Sequence, residues 1–288
     1  GKDNQTFNVS LKEINRTSLV AYYPFNGNAN DESGNDRNPT SNNLPGLTND
    51  RFGNSNSAYF FDGSNDYLQV SYNSILNPTK FSFSVWVYVT ENTGSIGTVL
   101  MSRDNLQGYN LYKTSDEKWS IWIGDNASWK TVANNQITLN QWTHIVGTYN
   151  GTTLKLYVNA QLEAFDNYNF TINQSKPLRI GAGKTHQTTP GYYFKGKIDE
   201  VRIYNKALSA GDISEIYNSS FSPVERLYDN LSISKIQLNT NGNKVDNFSV
   251  ASEDNDSATV KLTSTGDNIT REDNSDNDSL SVVLTAKP

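Results

Sequence analysis

The chain has 288 residues, 19% charged and 35% hydrophobic, with a formal net charge of −6 and no cysteine. Disulfide and thiolate chemistry are therefore excluded, and without a Lys/Arg cluster there is no basic footprint for nucleic acid or an anionic membrane. No apolar run approaches the roughly 20 residues of a membrane span, so membrane insertion is not expected.

The apolar residues are mostly Val, Ile, Leu, Tyr, Phe and Trp, which suit strands, while Asn, Ser, Thr, Asp and Gly supply turns. That is an all-β composition. The chain opens on Gly1 with no signal-like segment and reads as trimmed. In residues 1–17, Phe7, Val9, Leu11 and Ile14 alternate, which predicts one strand ahead of the main domain. From Ser18 the runs Leu19–Phe25, Ala58–Phe61, Tyr67–Val70, Phe81–Val89, Thr98–Ser102 and Trp119–Ile123 follow one another between turn residues. Thr143–Tyr149, Leu154–Val158, Leu178–Ile180 and Lys197–Tyr204 complete the series. Short strands at such spacing predict a sandwich or barrel, with the polar stretches 26–56 and 164–175 as crossing loops.

Alternation assigns faces. Phe81, Phe83, Val85, Val87 and Val89 share one side, and Ser82, Ser84, Trp86 and Tyr88 the other. Trp119 is in phase with Ile121 and Ile123 and is expected in the core, whereas Trp122 is out of phase and expected to face solvent. Leu208–Tyr217 has helical spacing, and Ser209 with Asp212 three residues later forms an N-terminal cap. Phe221-Ser222-Pro223 begins a linker, so the expected division is 1–17, 18–219 and 220–288. The last segment has weak strands at Ser232–Leu238, Phe248–Ala251, Ala258–Thr263 and Leu280–Ala286. Such a unit is small for a core of its own. Pairing with the N-terminal strand, packing on the sandwich, or membership of a longer array all remain open for it.

Three segments together resemble the bacterial laminin-G-like jelly-roll family. The first is Leu19-Val20-Ala21-Tyr22-Tyr23-Pro24-Phe25-Asn26-Gly27, followed by Tyr59-Phe60-Phe61-Asp62-Gly63-Ser64-Asn65-Asp66-Tyr67-Leu68. The second is Gln141-Trp142-Thr143-His144-Ile145-Val146-Gly147-Thr148-Tyr149, leading into Leu154–Asn159. The third is Phe194-Lys195-Gly196-Lys197-Ile198-Asp199-Glu200-Val201-Arg202-Ile203-Tyr204. The resemblance covers about residues 18–219 and implies a concanavalin-A-like antiparallel β-sandwich, a jelly roll, with a small C-terminal β unit outside it. The family's hairpin turn is usually Asn-Gly, and here Asn159-Ala160 stands in its place, which predicts a turn other than type I′.

The resemblance also implies a structural calcium ion. Calcium takes about 6–8 hard oxygen ligands, and the expected set is Asp199 with Asp31 and Asp62, then Asp66 and Asn28. Asx turns are the competing reading of the same residues. The loop Gly183–Thr189 carries no carboxylate, so a second, ligand-contacting calcium of the pentraxin kind is not expected.

Sugars need aromatic platforms flanked by directional polar groups. Trp122, Trp129, Tyr109, Tyr192 and Arg103 are the expected ligand-binding residues, with Tyr112, Tyr193, Asp104, His186 and Asn126 nearby in kind. Against this, Trp and Tyr more often pack in a core or rim. Catalysis finds little support. There is no Gly-x-Ser-x-Gly, His-Glu-x-x-His, phosphate-cradling loop or Glu-x-Asp-x-x-Glu strand, and His144 sits inside a strand as a structural residue would. Alternation predicts that Asp199-Glu200 and Asp31-Glu32 point to opposite faces and cannot act as acid–base pairs. The acidic runs of the tail lack the central Gly and distal Glu of a calcium loop. The expectation is a non-catalytic, carbohydrate-binding domain, secreted or on a cell surface, whose partner is a glycan. A protein-binding adhesive module is the alternative, and an accessory domain of a polysaccharide-processing enzyme the less favoured one.

Overall fold

In the computed structural model residues 18–40, 43–134 and 136–218 are described in full, and the flanking segments through their strand pairing alone. The chain divides into two units, Ile14–Asn218 and a second made of Gly1–Glu13 with Ser219–Pro288. In chain order the strands are β1 Thr6–Phe7, β2 Leu19–Tyr23, β3 Gly46–Thr48, β4 Ala58–Asp62 and β5 Leu68–Val70. Then come β6 Phe81–Tyr88, β7 Gly97–Asp104, β8 Gln107–Lys113, β9 Trp119–Gly124 and β10 Trp129–Ala133. β11 Trp142–Tyr149, β12 Thr153–Val158, β13 Gln161–Asn167, β14 Leu178–Ile180 and β15 Lys195–Tyr204 precede the helix α1 Ala210–Asn218. The second unit continues with β16 Ile236–Gln237, β17 Phe248–Ala251, β18 Ser257–Thr265 and β19 Ser279–Ala286.

The larger unit is an antiparallel sandwich. A six-stranded sheet in the order β10-β9-β8-β7-β14-β5 faces an eight-stranded one in the order β13-β12-β11-β6-β15-β4-β3, with β2 pairing β15. Crossovers such as β7 to β14 and β6 to β15 are those of a jelly roll. The alternation read from the sequence decides what lies between the sheets. Phe81, Phe83, Val85 and Val87 from β6 meet Tyr109, Leu111, Trp119, Ile121 and Ile123 from β8 and β9 in one buried cluster. Gly147 on β11 is required by this closeness, because a Cβ there would lie 2.4 Å from the Phe83 ring.

A second apolar cluster lies outside the eight-stranded sheet, where Leu208, Ile213 and Ile216 of the α1 region cover Val146, Tyr157 and Tyr204. Ser209 starts that helix as the sequence predicts: its Oγ accepts the Asp212 N–H at 3.1 Å, and Asp212 Oδ2 accepts the Ser209 N–H at 2.9 Å. The β12–β13 turn departs from expectation. Asn159 and Ala160 both have positive φ, 49° and 63°, which is the type I′ signature despite the missing glycine. Asn159 compensates by accepting the His144 N–H through its side chain at 2.9 Å.

In the second unit β1 pairs β16, and β17-β18-β19 form a three-stranded antiparallel sheet. The predicted strands Phe248–Ala251, Ala258–Thr263 and Leu280–Ala286 correspond to β17, β18 and β19. The acidic runs at 253–256 and 272–278 lie outside the described residues.

Candidate functional site

The two outer faces of the sandwich differ. On the eight-stranded sheet, α1 and the loop carrying Arg51 cover much of the surface, and beneath them lies a buried set of charges. Asp199 and Glu200 are 2% and 4% exposed. The register between β15 and β6 shifts between Asp199 and Arg202, and Glu200 has φ 53°. This bulge inserts one extra residue, so Glu200 joins Asp199 on the outer face instead of pointing to the core. The reading from strict alternation is corrected on this point. The pair is nevertheless neutralised: Glu200 is ion-paired with Arg202 and accepts the Tyr22 O–H at 2.9 Å, and Asp199 lies 3.6 Å from Arg51. Arg51 also rests 4.5 Å over the Trp86 ring, which stacks on Tyr217 at 5.6 Å. Burial, and next the neighbouring Glu200 charge, hold the Asp199 carboxyl well above the ordinary carboxylate range. Two carboxylates locked this way by two guanidiniums act as structure.

The five expected calcium ligands are not brought together. Asp31 is buried and saturated, accepting the N–H groups of Tyr22 and Ser33 on Oδ1 and of Arg37 on Oδ2. Asp62 accepts from Ser64 and Asn65 in its own turn, and Asp66 Oδ2 accepts the Asp62 N–H at 2.9 Å. Asn28 closes a local turn by accepting the Asn30 N–H. Asp199 faces Arg51. Among the described residues no group of three or more His, Asp or Glu side chains could hold a metal ion. Backbone N–H groups engage Asp31, Asp62 Oδ1, Asp66 Oδ2 and Asn28, and Arg51 faces Asp199, so each residue has a local partner of its own.

The outer face of the six-stranded sheet is built differently. Arg103 faces Gly108 on the neighbouring strand, and Trp129 faces Gly124. With glycine on both intervening strands, the guanidinium and the indole meet across them at 4.5 Å. Trp122 stands beside Trp129 at 6.3 Å, and Tyr112 packs its ring edge-on against Trp122 at 5.6 Å. Tyr192 continues the series at 6.4 Å from Tyr112 and is 42% exposed. Its φ of 54° is strained for an aromatic residue. The carbonyl of Tyr192 accepts the Thr98 N–H, and Lys184 Nζ lies 5.0 Å from the Tyr192 ring.

The loop between β14 and β15 forms one wall of this site. Arg179 donates from Nη1 to the carbonyls of Gly183 and Lys184, and Thr185 exchanges hydrogen bonds with the Arg103 backbone. Gly183 permits the contact, since a Cβ there would lie 2.5 Å from Thr98 Oγ1. Beneath the aromatics Asn110 is paired across the strands with Trp122 and Met101. Asn110 is fully buried, and neither its Nδ2 nor its Oδ1 has a hydrogen-bond partner. Arg103 Nε and His186 Nδ1 are also buried without partners.

The structure thus brings four of the five predicted ligand residues into one cluster: Trp122, Trp129, Tyr192 and Arg103. Tyr109 is corrected. It has no exposed surface, stacks on Phe81 at 4.8 Å between the sheets and donates to the Leu76 carbonyl. Burial raises its phenol far above the usual range. The reason is its phase with Leu111 on β8, which puts Asn110 and Tyr112 outside instead. That same alternation could have found Asn110 from the sequence.

Residues 62–214 match a laminin G profile described as the Concanavalin A-like lectin/glucanases superfamily. No curated protein matches the sequence. Among solved structures, the binding domain of Paraclostridial Mosquitocidal Protein 1 superposes with TM-score 0.60 at 18% identity, over 72% of this chain and 53% of that one. The receptor binding domain of botulinum neurotoxin C/D mosaic serotype gives 0.58 at 19% identity, over 71% and 52%. The ligand binding domain of botulinum neurotoxin serotype D, in complex with N-acetylneuraminic acid, gives 0.57 at 18%, over 71% and 52%. The chain spans about half the length of these structures, and at such identity the likeness is one of fold.

Proposed function

The chain belongs to the concanavalin A-like lectin/glucanase superfamily, and on that premise we propose that it is a non-catalytic binding domain whose outer six-stranded face holds a carbohydrate. The observation that carries this reading is the half-exposed pair Trp122 and Trp129, 6.3 Å apart on the outer face beside Arg103 and the exposed Tyr192. Indole faces stack on the apolar faces of pyranose rings. Arg103 and Tyr192 would orient the sugar.

Binding domains of this fold in toxins, one of them bound to N-acetylneuraminic acid, lend support to a glycan partner outside the cell or on its surface. No helix among the described residues is long and apolar enough to cross a membrane. The test is a glycan array probed with the native chain and with Trp122→Ala and Trp129→Ala. At least one glycan class should bind, and each variant should lose about tenfold or more, roughly 1.4 kcal/mol. Absence of any hit sinks the reading.

A second reading, adhesion to a protein, draws on β13. This edge strand presents Leu162 and Phe165 at 45% and 64% exposure. Pull-down from cell-surface extract that is abolished by Phe165→Ser and indifferent to Trp122→Ala would favour it.

A further inference from the structure

Resting on the glycan reading, we propose that the outer-face site selects acidic sugars, those bearing a carboxylate or sulfate group, over neutral ones. Arg103 lies along the Trp129 ring and Lys184 along the Tyr192 ring, so a cation flanks the aromatics at both ends of the cluster. Elsewhere some cations of the sandwich are matched, Lys113 with Glu117, Lys130 with Asp125, Lys118 with Asp116 and Lys195 with Glu91. Others, such as Lys80, Lys155 and Lys197, have no ion pair among the described residues. Arg103, Lys176 and Lys184 have no carboxylate within ion-pair distance among the described residues.

Arg103, Lys184 and Lys176 all act on the His186 imidazole, with Asp104 as the opposing charge, in a chain whose net charge is −6. The His186 imidazole registers this field. Its pKa is lowered first by burial and then by Arg103, with Lys184 and Lys176 adding to the effect and Asp104 alone opposing them.

The geometry also suits an oxyanion that presents two oxygens side by side. Arg103 Cζ lies 4.5 Å from the Trp129 ring centroid, Nη1 makes only a long 3.4 Å bond to Tyr112 Oη, and Nε is buried without a partner. A guanidinium restrained in this way leaves its Nη donors for the oxygens of a carboxylate or sulfate. The half-exposed Trp122 is left to meet the sugar ring.

The test measures calorimetric affinities of the whole chain for three probes of equal length: a hexuronic-acid tetrasaccharide, a sulfated hexose tetrasaccharide and an uncharged hexose tetrasaccharide. At low salt one or both acidic probes should bind about tenfold tighter than the uncharged one, and which of them does so identifies the anion. Raising salt from about 50 mM to about 500 mM should erase the advantage, as screening shortens the Debye length. The double variant Arg103→Gln, Lys184→Gln, with its melting temperature checked, should bring the acidic-to-neutral ratio close to one. Equal affinity for all three probes, or a preference that survives the double variant, overturns the charge proposal and leaves the glycan reading intact. No binding of any probe counts against both.

Discussion

The buried imidazole of His144 should make the sandwich sensitive to mild acid by an amount that follows from its surroundings. His144 has no exposed surface, its Nε2 lies 2.7 Å from Ser84 Oγ, and its Nδ1 has no partner. Its ring lies beside the stacked rings of Trp86 and Tyr217, 5.0 Å and 5.9 Å from them. Burial, followed by the charges of Arg202 and Arg51, lowers its pKa from 6.5 to about 3. The unfolded chain therefore takes up this proton as pH falls below about 6.5, while the folded chain resists until about 3. The contribution is whole above the unfolded value and is lost progressively as pH drops through that window. At about 1.4 kcal/mol per pH unit, a fall to about pH 4.5 removes about 2.7 kcal/mol.

The perturbation is His144→Gln, which can still bond Ser84 but does not titrate. The assay is urea unfolding followed by tryptophan fluorescence; all five tryptophans lie between residues 86 and 142, so the signal belongs to the sandwich. The variant should be less stable at pH 8 through lost stacking, and the gap should narrow by about 2.7 kcal/mol at pH 4.5. Other carboxylates titrate in both proteins and cancel in the difference. A gap that stays constant with pH refutes the reasoning.

Three further outcomes follow from the geometry. Ala160→Gly should raise stability by about 1 kcal/mol, since a left-handed non-glycine residue costs about that much; urea unfolding that shows a loss would mean the Ala160 methyl packing outweighs the strain. Glu200→Gln should cost about 3–5 kcal/mol by leaving Arg202 buried without its counter-charge, read in the same assay, and a cost under 1 kcal/mol would contradict the buried pair. The melting temperature should be the same in excess calcium and in chelator, because the candidate carboxylates are not gathered into one group among the described residues; a rise with calcium would show a site that these residues do form.

Much of this fold is legible in the sequence where the period of two is unbroken. Phe81 to Val87, Trp119 against Trp122, and the Ser209–Asp212 cap fall where side-chain alternation and capping chemistry put them. Legibility fails where one residue breaks the period. Glu200 shows this, because a bulge cannot be seen in Lys-Ile-Asp-Glu-Val-Arg, and it moves a carboxylate to the other face. It fails again for Asp31 and Asp62, since an aspartate that caps a turn and one that binds calcium look alike in sequence. Their backbone partners become visible only in three dimensions. Arg103 with Trp129 depends on two glycines from different hairpins standing in one row, a long-range register that no local pattern encodes. Tyr109 differs, because its phase with Leu111 was readable and its aromatic chemistry outweighed it.

The central claim is that the outer face of the six-stranded sheet holds the sugar. The five tryptophan indole N–H resonances test it most directly, because Trp119 is buried between the sheets, Trp86 and Trp142 lie on the other sheet, and Trp122 and Trp129 lie on the proposed face. Titration with an array-positive oligosaccharide should shift the Trp122 and Trp129 signals and leave the other three in place. Shifts confined to Trp86 and Trp142 would place the ligand on the opposite sheet and contradict the account.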